Sequence, residues 1–302
     1  MNTTSETRGI ILMSLSIVCF TANTLAIRAL AQSFQGCDGW QITFFRGLVG
    51  SILVIAIYSK GRGLRLRSLV DRPKIILRGL LGAIGVTLFY LTVIELGPAR
   101  AVVINLTYPI FAAFLASRIL KETLGVAKTI WILVGFLGLI IFVGPKAFEG
   151  GLSFYDGLAV LGAIVAAGVV VLIRTLHRSE HTSTIFASQA IYCIILALPL
   201  SVPTTAQIAP LGILGLVLGG LLAAAGQLAM TFAYRHLDVA KGASMQMALP
   251  ILTALGAWVM FQETLTPIEI GGASLTLIAT AMINRKASNP PPKTLTTEIA
   301  KP

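Results

Sequence analysis

Charged residues are scarce in this chain of 302 residues. They make up 12% of it, whereas soluble domains typically contain about 25%. Hydrophobic residues make up 56%, and the mean hydropathy is +0.87. So few charges exclude a soluble globular domain. The composition predicts an all-α polytopic membrane protein. Its expected partners are the lipid bilayer and a small-molecule substrate.

Side chains for catalysis or metal binding are equally few. The 12 acidic residues all fall in predicted loops, tails or span ends. Cys19, Cys37 and Cys193 lie in a span, a loop and a span, which is not a disulfide framework. His177 and His181 have the spacing of helical metal ligands but lack an evident third ligand. We therefore expect no metal site, no cofactor and no enzymatic activity, because an intramembrane enzyme needs clustered acid, base or metal groups.

Long apolar runs are abundant, and each of about 20 residues predicts a membrane-spanning helix. Ten are present. They are Ile10–Leu30, Trp40–Tyr58, Ile75–Ile94, Ala99–Leu120, Val126–Val143, Phe154–Ile173, Thr184–Leu200, Ile208–Phe232, Val239–Phe261 and Pro267–Ile283.

The net charge of +11 comes from basic residues that flank these spans. Nineteen of the 23 Lys and Arg residues, Arg78 among them, fall on the side of the amino terminus, three fall on the other side, and Arg46 lies inside a span. Since basic loops stay cytoplasmic, both termini are predicted to be cytoplasmic in a multi-pass protein of the inner membrane. Nucleic acid is rejected as a partner because these residues meet anionic headgroups.

An internal repeat relates the two halves of the chain at an offset of 141 residues. Leu96–Leu124 and Leu237–Leu265 are identical at nine of 29 positions, including Pro109 with Pro250 and Glu122 with Glu263. Each half holds five predicted spans, so the second copy crosses the membrane in the opposite direction. The sequence predicts two inverted five-helix repeats, at 8–144 and 154–284, followed by a disordered cytoplasmic tail at 285–302. The two glutamates are expected to cap or pair with neighbouring loops.

Pro109 and Pro250 lie in the middle of spans four and nine, where they predict helix breaks and hinges. A proline cannot donate to the carbonyl four residues earlier, and those carbonyls belong to Asn105 and Gln246. Each copy thus gathers a freed carbonyl and an amide side chain at its centre. We interpret both amides as substrate-binding; hydrogen bonds between helices are the alternative.

Arg46 lies inside span two, where an uncompensated charge costs several kcal/mol, and no acidic residue lies at mid-depth in a neighbouring span. One interpretation is that its guanidinium faces a cavity and attracts a substrate carboxylate or phosphate. The other is that it reaches the outer interface or caps helix carbonyls.

Other polar side chains within the spans are candidates for the same cavity wall, and packing is their alternative role. They are Asn23, Tyr90, Tyr108, Gln189 and Gln227.

The chain resembles the EamA-type transporters of the drug/metabolite transporter (DMT) superfamily. The resemblance is carried by the ten-span plan, the Phe45-Arg46 pair, the segments around Pro109 and Pro250, and the endings Lys121–Leu124 and Gln262–Leu265. It implies a membrane transporter without specifying the substrate. Members of this family move amino acids, S-adenosylmethionine, riboflavin, other polar metabolites and drugs.

The leading hypothesis is a secondary transporter that moves a small polar or zwitterionic metabolite, with amino-acid-like export as the first choice. Uptake or exchange of a cofactor-like solute, such as S-adenosylmethionine or riboflavin, is the alternative. A membrane scaffold or an intramembrane enzyme is a third class that lacks supporting residues. Only Glu95 is positioned for a proton relay, so exchange or facilitation fits at least as well. A homodimer is compatible with the sequence but not required.

Overall fold

Helices account for all the regular secondary structure that the structure describes. The computed structural model describes residues 3–34, 37–58, 63–96, 98–122, 125–144, 151–205, 207–261 and 266–284. These ranges contain thirteen helices and no strand. The helices are α1 (Thr3–Ser33), α2 (Gly39–Tyr58), α3 (Ser68–Asp71), α4 (Pro73–Leu96), α5 (Pro98–Asn105), α6 (Tyr108–Ile119), α7 (Val126–Val143), α8 (Phe154–Leu176), α9 (Thr182–Thr205), α10 (Pro210–Ala233), α11 (Val239–Gln246), α12 (Leu249–Phe261) and α13 (Pro267–Asn284).

Nine stretches of the described chain are long and apolar enough to cross a membrane, with α5–α6 and α11–α12 each counted as one. α13 contains a shorter apolar stretch, Pro267–Ile283. Large apolar side chains such as Val126, Phe154 and Ile268 are exposed on the surface, as lipid contact requires. The all-helical membrane architecture is therefore confirmed, and the tenth span remains a prediction.

Two helices are interrupted at equivalent places in the two halves. α5 ends at Asn105 and α11 ends at Gln246, and a two-residue turn separates each from the next helix. Pro109 and Pro250 stand in the first turn of α6 and α12, where a backbone N–H would have no acceptor within the same helix, so the proline costs that helix no hydrogen bond. Each proline thus starts a new helix, and the amide before it ends the previous one.

The longest helix pairings join the two halves rather than neighbours in sequence. α1 packs along α10, α4 along α8, α2 along α9, and α7 along α13. Small residues allow the closest approach: a Cβ built on Gly272 of α13 would lie 2.4 Å from the backbone nitrogen of Phe142 in α7. The broken helices α5–α6 and α11–α12 pack against α8 and α1. This arrangement surrounds the interior with helices from both halves.

Two predicted features lie outside the described residues. They are the Gln262–Leu265 ending of the second repeat, which includes Glu263, and the tail at 285–302.

Candidate substrate cavity

An interior cavity lies where the two helix breaks face the long helices. The volume of this cavity that is open to the centres of water molecules is about 180 Å³. Its wall contains all eight polar residues selected from the sequence, and each comes from a different helix. They are Asn23 (α1), Arg46 (α2), Tyr90 (α4), Asn105 (α5), Tyr108 (α6), Gln189 (α9), Gln227 (α10) and Gln246 (α11).

The remaining wall is mainly apolar and aromatic. It is formed by Phe20, Leu81, Val86, Phe89, Val102, Leu106, Ala166, Val169, Val170, Met230 and Leu249, with Thr24, Gly82 and Gly85. Apolar walls with a few convergent polar groups are typical of small-molecule sites. No described residue in this wall is an Asp or a Glu. The cavity therefore combines a positive charge and neutral amides with apolar surface.

Arg46 faces this cavity. Its Nη2 donates to Gln227 Oε1 at 2.8 Å, and its Nη1 donates to Tyr90 Oη at 3.1 Å. The guanidinium carbon also lies 5.6 Å from the centre of the Phe20 ring, within the range of a cation–π contact. These partners are neutral, so they orient the guanidinium without cancelling its charge. An anion in the cavity would meet a charge-assisted hydrogen-bond donor that is already oriented.

Arg78 corrects the sequence analysis, which counted it among the basic residues flanking the spans. It lies in α4 with 0% of its surface exposed, and its Nη2 donates to Gln189 Oε1 at 2.7 Å. In the described part of the chain, neither its Nε nor its Nη1 has a hydrogen-bond partner. Its position five residues after Pro73 made it look like a flanking charge. The sequence contained one sign that Arg78 is buried. Gly82, four residues later on the same helix face, leaves space there for a guanidinium.

The amides at the two helix breaks occupy equivalent positions. Gln246 is 8% exposed, and its Nε2 lies 3.5 Å from Met13 Sδ, a weak acceptor. Asn105 Nδ2 lies close to Gly162 of α8, 3.3 Å from the position of a Cβ built there. Gln227 Nε2 is buried with no hydrogen-bond partner among the described residues. Polar groups that are poorly matched within the protein are the ones available to a ligand.

Comparison with known families decides the class of this protein. The sequence model of the EamA-like transporter family matches residues 7–144 and, a second time, residues 153–285. The chain belongs to the EamA-like transporter family. Membership makes it a multi-pass membrane transporter rather than an enzyme, so the resemblance inferred from the repeat motifs is confirmed.

Individual relatives of this EamA-like transporter agree with that assignment. Two proteins named Pseudopaline exporter CntI, from Pseudomonas aeruginosa strains UCBPP-PA14 and PAO1, are each 24% identical over 278 residues. The match covers 92% of this chain and 96% of each relative. A solved crystal structure superposes with a TM-score of 0.75 at 18% identity, covering 91% of this chain and 96% of that one. This last similarity establishes the fold alone.

Polar contacts join the two halves of the EamA-like transporter at one end of the bundle. Glu122 Oε2 accepts a hydrogen bond from Val239 N at 3.1 Å, and Glu122 Oε1 lies 3.6 Å from Arg174 Nε. Lys128 Nζ and Asp238 Oδ2 are 3.4 Å apart. Burial, and secondly the charge of Asp238, raises the pKa of Glu122. Glu122 thus caps α11, which confirms the capping role predicted for it.

His177 lies at the same end, beyond the last residue of α8. Its Nε2 donates to Thr231 O at 2.7 Å, which leaves Nδ1 as the nitrogen that would take a second proton. Burial lowers the pKa of His177 to about 4; Arg174, Arg235 and His236 lower it further, and the bond to the carbonyl opposes them. The folded protein therefore holds this imidazole neutral.

Acid is expected to destabilise the fold through His177. Because its pKa is lower in the folded than in the unfolded chain, its contribution is fully present above about pH 6.5 and is lost as the pH falls towards 4. The loss should reach roughly 2 kcal/mol. His177→Gln removes the titration, so its melting temperature in detergent should fall less between pH 7 and pH 4.5 than that of the wild type. His181→Gln is the control; an unchanged pH response in His177→Gln would contradict this account.

Proposed function

We propose that this EamA-like transporter is a secondary transporter of a small polar or zwitterionic metabolite that carries a carboxylate. The observation that carries the proposal is that Arg46 faces the cavity and that its hydrogen-bond partners among the described residues, Tyr90 and Gln227, are neutral. A carboxylate accepts two parallel hydrogen bonds from such a group. The amides Asn105, Gln189, Gln227 and Gln246 supply donors and acceptors for the rest of a polar solute.

The size of the cavity favours an amino-acid-like substrate. A space of about 180 Å³ suits a small solute better than a nucleoside-containing one. A cofactor-like solute, such as S-adenosylmethionine or riboflavin, remains the second candidate. It is favoured by the rings of Phe20, Phe89, Tyr90 and Tyr108 in the wall, on which a planar group could stack.

Alternating access of two inverted repeats is the proposed mechanism, with α1–α7 and α8–α13 as the repeats and ten spans in all. The helix contacts support a two-fold pseudo-symmetry: the α1–α10 pairing has its counterpart in α4–α8, and α1–α12 has its counterpart in α6–α8. α2–α9 and α7–α13 pair equivalent helices with each other. Repeats of this kind exchange inward-open and outward-open shapes around a central site, with the breaks before Pro109 and Pro250 as hinges.

The proposed location is the inner membrane with both termini cytoplasmic, on the distribution of basic residues. Export is the proposed direction, since the named relatives are exporters. Glu95 is exposed in α4 and does not contribute to the cavity wall. Exchange or facilitated diffusion is therefore proposed in place of proton coupling.

Counterflow into proteoliposomes tests this function. Vesicles are loaded with one unlabelled solute, and uptake of the same labelled solute is followed for amino acids, S-adenosylmethionine and riboflavin, with and without a pH gradient. We expect uptake of an amino acid that requires the matching internal solute and is indifferent to the gradient. Uptake of the cofactor-like solutes alone would favour the second candidate. Protein that is folded by size-exclusion chromatography yet supports no counterflow would refute the proposed function.

A further inference from the structure

Among the residues that the structure describes, two guanidinium groups lie at the cavity or behind its wall, and no carboxylate of that wall balances them. Arg46 lines the cavity, and Arg78 lies behind its wall with no exposed surface. The wall residues within the described chain include no carboxylate, and the hydrogen-bond partners of both arginines are neutral side chains. Burying one unpaired charge costs several kcal/mol, and a second like charge nearby adds to the cost. If Arg78 served only to stabilise the fold, an apolar residue at this position would give greater stability.

The two arginines belong to one cluster. Gln189 accepts from Arg78 Nη2, and it lines the main cavity and a smaller crevice together with Arg46 and Gln227. Gln189 thus connects the second guanidinium to the same space that the first one faces.

Gly82 contacts both Arg78 and the cavity. It contributes to the cavity wall, and a Cβ built on it would lie 2.2 Å from Arg78 Nη1. The absence of a side chain at this position leaves Nη1 directly behind the wall at Gly82, and both Nη1 and Nε lack partners among the described residues. A guanidinium can donate five hydrogen bonds, so these nitrogens are available to an anion at the wall beside Gly82.

We propose that Arg46 and Arg78 form a two-arginine site for a substrate with two carboxylates, one at each guanidinium. This inference rests on the proposed transport function and narrows its substrate class to dicarboxylates, including amino acids with an acidic side chain. The two negative charges balance the two buried positive ones, which removes the desolvation penalty that the unoccupied cluster carries. Gln189 acts as the positioning residue that holds Arg78 at the wall.

Matched pairs of solutes test the proposal. Unlabelled glutamate is compared with glutamine, and succinate with succinamate, as competitors of counterflow; each pair has the same shape and differs by one negative charge. The same solutes are also added to the protein in detergent, and the shift in melting temperature is recorded. Inorganic phosphate is included in both assays, because a single compact dianion between the arginines would have a different geometry.

For the wild type we expect each diacid to compete at least about tenfold better than its amide and to raise the melting temperature more. In Arg78→Gln, the diacid and its amide should compete almost equally well, so the ratio between them falls to near one. Competition by the amides themselves should be retained. Gly82→Ala should weaken the preference for the diacid as well, because the added methyl group would lie 2.2 Å from Nη1 and must displace it, while the charge of Arg78 is kept. Gly168→Ala, in α8 outside the cavity wall with its nearest neighbour at 4.0 Å, is the control.

The outcomes separate this inference from the proposed function. Wild-type protein with no preference for either diacid in both assays overturns the two-arginine site, even if amino acids are transported. Arg78→Gln that is folded but loses diacid and amide competition equally would make Arg78 a structural residue, and a response to phosphate alone would also overturn the proposal. An Arg78-dependent thermal shift with diacids, in protein that shows no counterflow, would uphold the site and refute the transport function.

Discussion

Arg46→Ala is expected to reduce counterflow by about 100-fold or more while leaving the protein folded. The guanidinium is the one positively charged group among the residues that line the cavity, as far as the structure describes them. Two charge-assisted hydrogen bonds to a carboxylate contribute about 3–6 kcal/mol in a site shielded from water, and 3 kcal/mol already corresponds to more than 100-fold. Initial rates of counterflow at limiting substrate measure the loss directly.

Two further variants locate the effect. Arg46→Lys keeps the charge but not the two-pronged geometry, so it should retain a small part of the activity. Arg118→Ala removes an arginine that lies near the end of α6, exposed and stacked on Phe114, and should transport normally. Full activity in Arg46→Ala, or equal losses in Arg46→Ala and Arg118→Ala, would show that the substrate does not bind at this guanidinium.

Gly272→Ala is expected to cost about 2–4 kcal/mol of stability, whereas Gly271→Ala should be neutral or slightly stabilising. Both positions are in α13, so both gain the same helix propensity of about 1 kcal/mol. A Cβ on Gly272 would lie 2.4 Å from Phe142 N and 2.7 Å from Gly138 O, which are backbone atoms of α7 that cannot move alone. A Cβ on Gly271 would meet nothing within 4 Å. Equal melting temperatures for the two variants in detergent would contradict the close packing of α7 on α13.

The helix pair α7–α13 also bears on the tenth span. Thr276 Oγ1 donates to Gly135 O across this interface at 3.1 Å, in addition to Gly272 O of its own helix. α13 is the shorter apolar stretch, and its close packing along α7, a full-length candidate span, supports its insertion in the bilayer. Loss of the folded protein in Gly272→Ala would therefore also support α13 as a membrane helix.

The sequence was sufficient for the helix breaks and for the polar wall. Proline has a fixed effect on the helix around it, so Pro109 and Pro250 located the breaks without any tertiary information. A polar side chain within a span is costly to expose to lipid, so it usually faces the interior of the bundle. Asn23, Gln189 and Gln227 were expected to face inwards for this reason, and they line the cavity.

Other features depend on contacts between distant parts of the chain. Whether Arg46 faces the cavity or the membrane interface depends on the positions of Tyr90 and Gln227, 44 and 181 residues away in sequence. Arg78 was misassigned because its distance from the start of α4 suggests a flanking residue, whereas its burial results from packing of α4 against α8 and α9. Periodicity within one helix carries no information about which neighbour covers it.

Alternating access requires that one cavity open in turn to both faces of the membrane, and labelling of a cavity cysteine from each side tests this most directly. Cys19, Cys37 and Cys193 are replaced by alanine, and Thr24→Cys places a thiol in the cavity wall without altering a proposed substrate-binding residue. Right-side-out and inside-out vesicles are treated with a membrane-impermeant maleimide. Leu152→Cys and Arg178→Cys are the one-sided controls, since both residues are exposed and lie just before and just after α8.

We expect Thr24→Cys to be labelled from both sides and protected from both by a transported solute, whereas each control is labelled from one side only. Labelling of Thr24→Cys from a single side, in protein that is active in counterflow, would contradict alternating access to this cavity.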